Sequence, residues 1–244
     1  MAKKTSAEDL PKVYAHRGAS ADRPEHTMEA YEEGLRQGAD GFECDIRLTK
    51  DGIPILWHDS TMERTAGKGG DIANLTYKQV SQGYPKVATL DDLLDFVIVH
   101  KKGLLVETKH PVPTTRQIEK VLSSKLAERR TEIEKSGIEI SMMSFSWLAV
   151  ESFRRSNPEM NVVMLLNPFT SQIKSKFSSA QTWGPGITQI KKHPELLEKA
   201  KSAGKKVFVW TVNESVDLSY CSELGVDIVI TNKPALARAT LGYS

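Results

Sequence analysis

The feature that most constrains the fold is a regular alternation of short apolar runs and longer amphipathic stretches along the 244 residues. This rhythm is typical of α/β folds built on a parallel sheet. The strand-like runs are Val13–Ala15, Gly41–Leu48, Ile53–Trp57, Leu104–Glu107, Ile138–Met143, Val162–Leu166, Ile187–Ile190, Lys206–Thr211 and Val226–Ile230. The helix-like stretches are Thr27–Gln37, Leu90–Val99, Thr114–Lys135, Trp147–Arg155, Pro194–Ala203 and Ser215–Leu224, with a weaker candidate at Ser171–Ala180.

The count of nine strands is one too many for an eight-stranded barrel, and the spacing indicates which strand to set apart. Only Thr-Lys-Asp-Gly at 49–52 separates the second run from the third, and Asp-Gly is a hairpin signal. A parallel crossover would need about a dozen residues. We therefore predict an antiparallel ribbon in which Leu48 pairs near Pro54 and Asp45 lies near Trp57 or His58.

The eight remaining strands and the chain length predict a (β/α)8 barrel. An open doubly wound sheet is the alternative, but no Gly-x-Gly-x-x-Gly motif follows the first strand. We expect one domain over residues 1–244 with a small insertion over 60–88 near the barrel mouth, after the ribbon. The Gly-rich stretch 65–70 within it lacks the Walker spacing, so a flexible surface loop is favoured over a phosphate cradle.

Composition excludes several function classes. Lys and Arg number 33 against 31 Asp and Glu, a net charge of +2, so the chain lacks the basic footprint of nucleic-acid binders. Two cysteines exclude a disulfide framework. The longest apolar runs are about five residues, far short of the roughly 20 that a membrane span needs. The first ten residues lack the apolar region of a secretory signal, so we expect a cytoplasmic protein.

Ionisable residues cluster where strand-like runs end, which is where (β/α)8 barrels build their active sites. Because side chains alternate along a strand, Glu43 and Asp45 share one face, as do Glu107 and Lys109. Such charges are costly inside a scaffold that is only structural. The residues in question are His16, Arg17, Glu43, Asp45, His58, Glu107 and Lys109.

The three carboxylates Glu43, Asp45 and Glu107 would repel one another in one pocket unless a cation neutralised them. An all-oxygen ligand set favours a hard divalent cation, Mg²⁺ or Ca²⁺. With Arg17 and Lys109 the site would balance the single negative charge of a phosphodiester. Ordinary salt bridges are the structural alternative for these acids.

Two histidines follow strands and precede charged residues, and histidine is the usual proton-transfer group near neutral pH. One of His16 and His58 could deprotonate a nucleophile while the other protonates a leaving oxygen, as phosphodiester cleavage requires. His26, His100 and His193 have no comparable setting and are interpreted as structural or surface residues.

These residues resemble the signature of the glycerophosphodiester phosphodiesterases, and the resemblance extends from about Val13 to Pro234. The matching blocks are His16-Arg17-Gly18 with Pro24-Glu25-His26-Thr27, Glu43-Cys44-Asp45 through Pro54, His58-Asp59, Arg64-Thr65 with its Gly-rich turn, Glu107-Thr108-Lys109 and Trp210-Thr211-Val212-Asn213. Two positions depart from the common pattern: His26, where many members have Asn, and Asn232, where many have Asp.

The resemblance implies a metal-dependent (β/α)8 hydrolase that cleaves glycerophosphodiesters, such as glycerophosphocholine and glycerophosphoethanolamine, to sn-glycerol 3-phosphate and an alcohol. It implies roles for nine positions. These are His16 and His58 as the acid–base pair, Glu43, Asp45 and Glu107 as ligands of the divalent cation, Arg17 and Lys109 as phosphate contacts, and Phe145 and Trp210 as aromatic walls of the pocket.

Other functions remain open on the same scaffold. A lysophospholipase D-like or other phospholipid phosphodiesterase would use similar groups, but the polar 60–88 segment favours water-soluble diesters. A non-catalytic ligand-binding barrel would be expected to lose one histidine. A sugar-phosphate isomerase or Schiff-base aldolase would need a desolvated Lys at a strand end, and Lys109 qualifies by position alone.

Overall fold

Nine strands form a single sheet in the computed structural model, which describes residues 10–111, 117–166 and 177–243. They are β1 (Lys12–His16), β2 (Gly41–Leu48), β3 (Pro54–Leu56), β4 (Gly103–Thr108), β5 (Ile140–Ser144), β6 (Asn161–Leu166), β7 (Thr182–Pro185), β8 (Lys206–Val209) and β9 (Ile228–Thr231). All except β3 pair in parallel, and the sheet closes because β1 pairs with both β9 and β2. The closed barrel confirms the (β/α)8 prediction and excludes the open sheet.

Helices connect the strands and pack on the outside of the barrel. In the described residues they are α1 (Met28–Arg36), α2 (Glu63–Ala66), α3 (Tyr77–Gly83), α4 (Leu90–His100), α5 (Gln117–Glu128), α6 (Arg130–Ser136), α7 (Trp147–Ser156), α8 (Ile187–Lys192), α9 (Glu195–Ser202), α10 (Ser215–Glu223) and α11 (Pro234–Leu241), with a 3-10 turn at Ile72–Asn74. None of these helices has the length and apolarity needed to cross a bilayer.

The ribbon forms in the predicted register. Strand β3 runs antiparallel to β2, with Leu48 opposite Pro54 and Ile46 opposite Leu56. The amide of Trp57 donates to the carbonyl of Asp45 at 2.9 Å, which continues the pairing by one residue. The ribbon therefore returns the chain to the level of the carboxylates just before His58.

Two apolar layers lie on either side of the barrel wall. The outer layer, between strands and helices, includes Phe42, Cys44 and Ile46 from β2. The inner layer fills the barrel and comprises Tyr14, Leu105, Met143, Val163, Leu165, Phe208, Ile228 and Ile230, with Phe145 and Trp210 packed against it. Because strand side chains alternate, Glu43 and Asp45 face inward, on top of the inner layer.

Residues 60–88 contain α2, the 3-10 turn and α3, held by a small apolar core of their own. Trp57, Met62, Ile72 and Val80 are buried in it. The core keeps the chain after His58 fixed against the barrel mouth. The division into one domain with an insertion at 60–88 stays a prediction.

One predicted strand is wrong. Ile187–Ile190 lies in α8, and the strand in this part of the chain is β7, the sixth of the eight barrel strands, in which Gly and Pro weaken the strand propensity of Thr and Trp. The two isoleucines are three residues apart, so both point to one helical face and are buried there, and a short apolar run cannot distinguish helix from strand.

The helix predictions differ from the structure in further places, and one of them is largely untested. The stretch Thr114–Lys135 forms two helices within its described part, α5 and α6. The weak candidate Ser171–Ala180 lies mostly outside the described residues. Helix α11 was not predicted.

Candidate active site

The carboxyl ends of the barrel strands bring the polar side chains together. In the parallel register, His16 on β1 lies beside Glu43 on β2, and Asp45 on β2 lies beside Glu107 on β4. Lys109 follows β4 directly, and its amide donates to the carbonyl of Ile46. The pairing of three neighbouring strands therefore places these groups in one patch at the mouth.

The three carboxylates form a buried cluster. One oxygen from each of Glu43, Asp45 and Glu107 lies within 4.8 Å of the other two, the one such grouping of potential metal ligands among the described residues. Glu43 Oε1 and Asp45 Oδ1 are buried and accept no hydrogen bond. Two carboxylate oxygens without a hydrogen bond, of which Asp45 Oδ1 has an ion-pair neighbour in Lys109 Nζ at 3.3 Å, fit a divalent cation of the Mg²⁺ or Ca²⁺ type in this set of hard donors.

Two cationic side chains contact the cluster. Arg17 Nε forms an ion pair with Asp45 Oδ2 at 2.9 Å. Lys109 Nζ lies 2.8 Å from Glu107 Oε1 and 3.3 Å from Asp45 Oδ1. Arg17 adopts a left-handed backbone conformation, with φ of 59°, that non-glycine residues seldom occupy. This turn lets its amide donate to Glu43 while its side chain reaches Asp45.

This environment shifts the pKa values of the acidic groups in opposite directions. Burial, reinforced by the charge of Asp45, raises the pKa of Glu43 well above its usual value and that of Glu107 to about 8. Burial also opposes ionisation of Asp45, but the hydrogen bond from His26 and the charges of Lys109 and Arg17 hold its pKa well below the usual value. Asp45 is therefore the permanently ionised member of the cluster.

His16 sits between the cluster and the last strand loop. Its Nε2 lies 3.8 Å from Glu43 Oε2, and its Nδ1 lies 2.7 Å from Asn232 Oδ1. An amide oxygen only accepts hydrogen bonds, so this contact favours the tautomer with a hydrogen on Nδ1 and a lone pair on Nε2. Burial and the nearby Arg17 lower the pKa of His16 to about 4, which keeps the ring neutral.

His58 follows the ribbon and has a carboxylate partner instead. Its Nδ1 lies 2.7 Å from Asp59 Oδ1, and about a third of its side chain is exposed. Burial lowers the pKa of His58, while the charges of Asp45 and Asp59 oppose that shift. The two histidines thus differ in the group that orients the ring, an amide in one and a carboxylate in the other.

His26 is a structural residue and not a surface one, the first of the two roles expected for it. It is buried, with Nε2 at 2.9 Å from Asp45 Oδ2 and Nδ1 at 3.0 Å from Tyr31 Oη. Its φ of 60° is in the left-handed region that histidine and asparagine tolerate better than most residues. A buried histidine between a tyrosine and a carboxylate anchors Asp45 Oδ2 from behind the cluster.

A small cavity of about 90 Å³ opens above these groups. Phe145 and Trp210 pack edge to face on one side of it, with ring centroids 5.4 Å apart, and Trp210 Nε1 donates to the carbonyl of Gly184. Leu165 and Met143 complete the apolar side. The cavity is therefore half charged and half aromatic.

All nine residues predicted for the site lie in or directly beneath this cavity: eight line it, and Asp45 lies below. Their chemical roles stay predictions. Sequence reasoning missed His26, Asn232 and the pair Glu25 and Arg64 beside the histidine loops. The signal that could have found them is their place in the family pattern: Glu25, His26 and Arg64 lie inside the matching blocks, and Asn232 is a position that departs from it.

Comparison with known proteins gives a consistent picture. Residues 16–236 match the model of the "Glycerophosphoryl diester phosphodiesterase family". The chain is 34% identical to a "Probable glycerophosphodiester phosphodiesterase 1" of Mycobacterium tuberculosis, over 95% of this chain and 92% of that protein. It is 28% identical to a glycerophosphodiester phosphodiesterase of Caldanaerobacter subterraneus, over 91% and 94% of the two chains.

Solved structures share the fold. A putative glycerophosphoryl diester phosphodiesterase from Silicibacter pomeroyi superposes with a TM-score of 0.82 at 23% identity, covering 95% of this chain and 93% of that one. A phosphodiesterase from Oleispira antarctica, solved with its product sn-glycerol-3-phosphate, gives a TM-score of 0.79 at 22% identity, covering 96% and 97%. At these identities the likeness concerns the barrel itself.

Proposed function

Since the chain belongs to the glycerophosphoryl diester phosphodiesterase family, as its motifs predicted, it is a phosphoric diester hydrolase, and we propose how it works. Its substrates are water-soluble glycerophosphodiesters such as glycerophosphocholine and glycerophosphoethanolamine. Its products are sn-glycerol 3-phosphate and the free alcohol. Catalysis uses His16 and His58 as acid–base pair, with a divalent cation held by Glu43, Asp45 and Glu107.

The observation that carries this proposal is the composition of one small cavity. Three buried carboxylates, two cations and two histidines meet there, opposite an aromatic wall. The carboxylates, a bound divalent cation, Arg17, Lys109 and a phosphodiester balance to zero charge. Such a site disfavours a neutral substrate or a dianion and suits a singly charged diester.

A divalent cation would be held by Glu43, Asp45 and Glu107, where it would supply positive charge against the phosphoryl oxygens. The two buried oxygens that accept no hydrogen bond, Glu43 Oε1 and Asp45 Oδ1, support this assignment. Arg17 offers a planar fork to two phosphate oxygens, and Lys109 adds a mobile point charge. Both cations stabilise the negative charge that grows on the equatorial oxygens during the reaction.

The two histidine environments support one assignment of the proton transfers. His16 presents a neutral Nε2 lone pair, because Nδ1–H donates to Asn232, so it accepts the proton of the attacking hydroxyl. That hydroxyl belongs to water, or to the glycerol 2-position if a cyclic phosphate forms first. His58 acts in its protonated form: Asp59 stabilises the imidazolium and partly offsets burial, which lowers the pKa of His58, and the ring gives its Nε2 proton to the departing alkoxide.

The cavity size and wall support a glycerol-binding role. A cavity of about 90 Å³ between charged and aromatic walls supports binding of a small polar unit such as glycerol. Phe145 and Trp210 offer apolar faces to the C–H side of glycerol, while the polar side presents charged groups to its hydroxyls. This disfavours lysophospholipids, whose chain would have to leave the pocket.

The experiment is release of sn-glycerol 3-phosphate from glycerophosphocholine, with and without EDTA, followed by addition of Mg²⁺, Ca²⁺ or Mn²⁺. We expect release to stop with chelator and to return with one of the ions. Lysophosphatidylcholine is the matched substrate control, and choline release from it should be at least about 100-fold slower. Undiminished activity in EDTA would contradict the metal assignment, and preference for the lipid would contradict the substrate assignment.

A further inference from the structure

Arg64, in the short helix α2, joins the loop after β1, which follows His16, to the loop after β3, which carries His58. Its Nη2 and Nη1 bind both carboxylate oxygens of Glu25, at 2.6 and 3.0 Å. Its Nε binds Asp59 Oδ2 at 2.5 Å. One guanidinium therefore binds a residue of the loop after β1 and a residue of the loop after β3, and all three of its nitrogens donate hydrogen bonds.

Each of the two carboxylates also contacts a group of the site. Asp59 uses its other oxygen, Oδ1, for His58 Nδ1. Glu25 lies 3.3 Å from Arg17 Nη1, and Arg17 in turn pairs with Asp45. The result is a continuous series of alternating charges that runs from one histidine to the metal-binding cluster and passes through Arg64.

The backbone that carries Arg64 is fixed independently of these charges. Met62, two residues earlier, is buried in the apolar core of the 60–88 segment and its amide donates to the carbonyl of Gly70. Trp57, next to His58, lies in the same core and donates to the carbonyl of Thr61. The guanidinium is thus presented from a rigid base.

We propose that Arg64 is a positioning residue that orients the His58 ring through Asp59 and couples that loop to Glu25 and Arg17. The physical reason is mutual repulsion: Glu25 and Asp59 both lie against one guanidinium, and without it two like charges would separate and release the imidazole. The 60–88 segment then contributes to catalysis through this one side chain. The inference rests on the proposed function for its catalytic consequence.

The activity test compares Arg64→Ala with Arg129→Ala. Arg129 is a matched control, because its guanidinium also bridges two carboxylates, Asp95 at 2.7 Å and Glu132 at 2.6 Å, but on the outer helices. Exposed ion pairs contribute little to stability, so both variants should melt within about 4 °C of the wild type. We expect Arg64→Ala to lower kcat by about 10- to 100-fold with KM within about threefold, and Arg129→Ala to leave both unchanged.

A second measurement does not depend on turnover. Long-range ¹H–¹⁵N NMR of the imidazoles reports the tautomer of His58, which the Asp59 contact holds with hydrogen on Nδ1. We expect a single Nδ1–H tautomer in the wild type and a mixture in Arg64→Ala, with His16 unaffected. Identical His58 spectra in the two proteins, or a kcat within twofold of wild type, would overturn the proposal. If the wild type cleaves no diester, the proposed function fails, and the NMR comparison alone decides the role of Arg64.

Discussion

Binding of a divalent cation should release protons, because the metal-free cluster is partly protonated at neutral pH. Glu43 and Glu107 have raised pKa values, since both are buried and both face the charge of Asp45. A cation binds the ionised carboxylates, so each proton held by the cluster must leave when the metal enters. The perturbation is therefore simply addition of Mg²⁺ or Ca²⁺ at different pH values.

The number of protons released follows from the Glu107 pKa of about 8. At pH 7, one unit below that pKa, about 0.9 of a proton resides on this carboxyl, and at pH 9 about 0.1 remains. Burial and the charge of Asp45 also raise the pKa of Glu43, which adds to this release. We expect release of at least about 0.9 of a proton per metal at pH 7. The apparent affinity should rise about tenfold per pH unit for each proton released below pH 8.

Isothermal titration calorimetry in two buffers of different ionisation enthalpy counts these protons. The difference in observed binding enthalpy, divided by the difference in buffer ionisation enthalpy, is the number released. Glu107→Gln should lower that number by about one at pH 7 and weaken binding. Glu119→Gln is the control: Glu119 is a buried carboxylate outside the cluster, paired with His110 at 2.8 Å, and its pKa is lowered.

Two results would refute this reasoning. One is release of fewer than about 0.5 protons at pH 7. The other is a metal affinity that does not change between pH 6 and pH 8. Either would mean that the cluster is ionised before the metal arrives and that Arg17 and Lys109 already neutralise it.

Two further expectations concern the histidines. His16→Ala and His58→Ala should each lower kcat by about 10²- to 10⁴-fold while the melting temperature stays close to that of the wild type, and a fully active variant would remove that histidine from the acid–base pair. His26→Ala should weaken metal binding by about 10- to 100-fold, measured by calorimetry, because Asp45 loses the hydrogen bond that anchors its Oδ2; an affinity within twofold of wild type would show that Asp45 needs no such anchor.

The parts of the fold that were predictable rest on local rules. The Asp-Gly turn set the ribbon register, so the pairing of Leu48 with Pro54 could be derived from the four residues that separate the two strand-like runs. Alternation along β2 placed Glu43 and Asp45 on one face and Cys44 on the other without knowledge of the barrel. The prediction of β7 failed because Gly and Pro weaken its strand signal, whereas the helical pair Ile187 and Ile190 resembles an apolar strand.

The missed residues share a different property: each acts through a contact between distant parts of the chain. His26 meets Asp45 across 19 positions, Arg64 meets Glu25 across 39, and Asn232 meets His16 across 216. A histidine or arginine in a loop is more often at the surface, and nothing in its neighbours along the sequence indicates its partner. The motif blocks marked the regions but not these pairs.

The residue types, the shared face of Glu43 and Asp45 and the strand ends at which charge gathers could be derived from the sequence, because turn propensity and the two-residue period of a strand are local properties. Which carboxylate meets which cation, and which histidine faces an amide and which a carboxylate, depends on the packed barrel. Barrel closure brings β9 and its Asn232 beside β1, and burial then sets the cost of each charge. Neither these contacts nor this burial exists until distant strands have packed together.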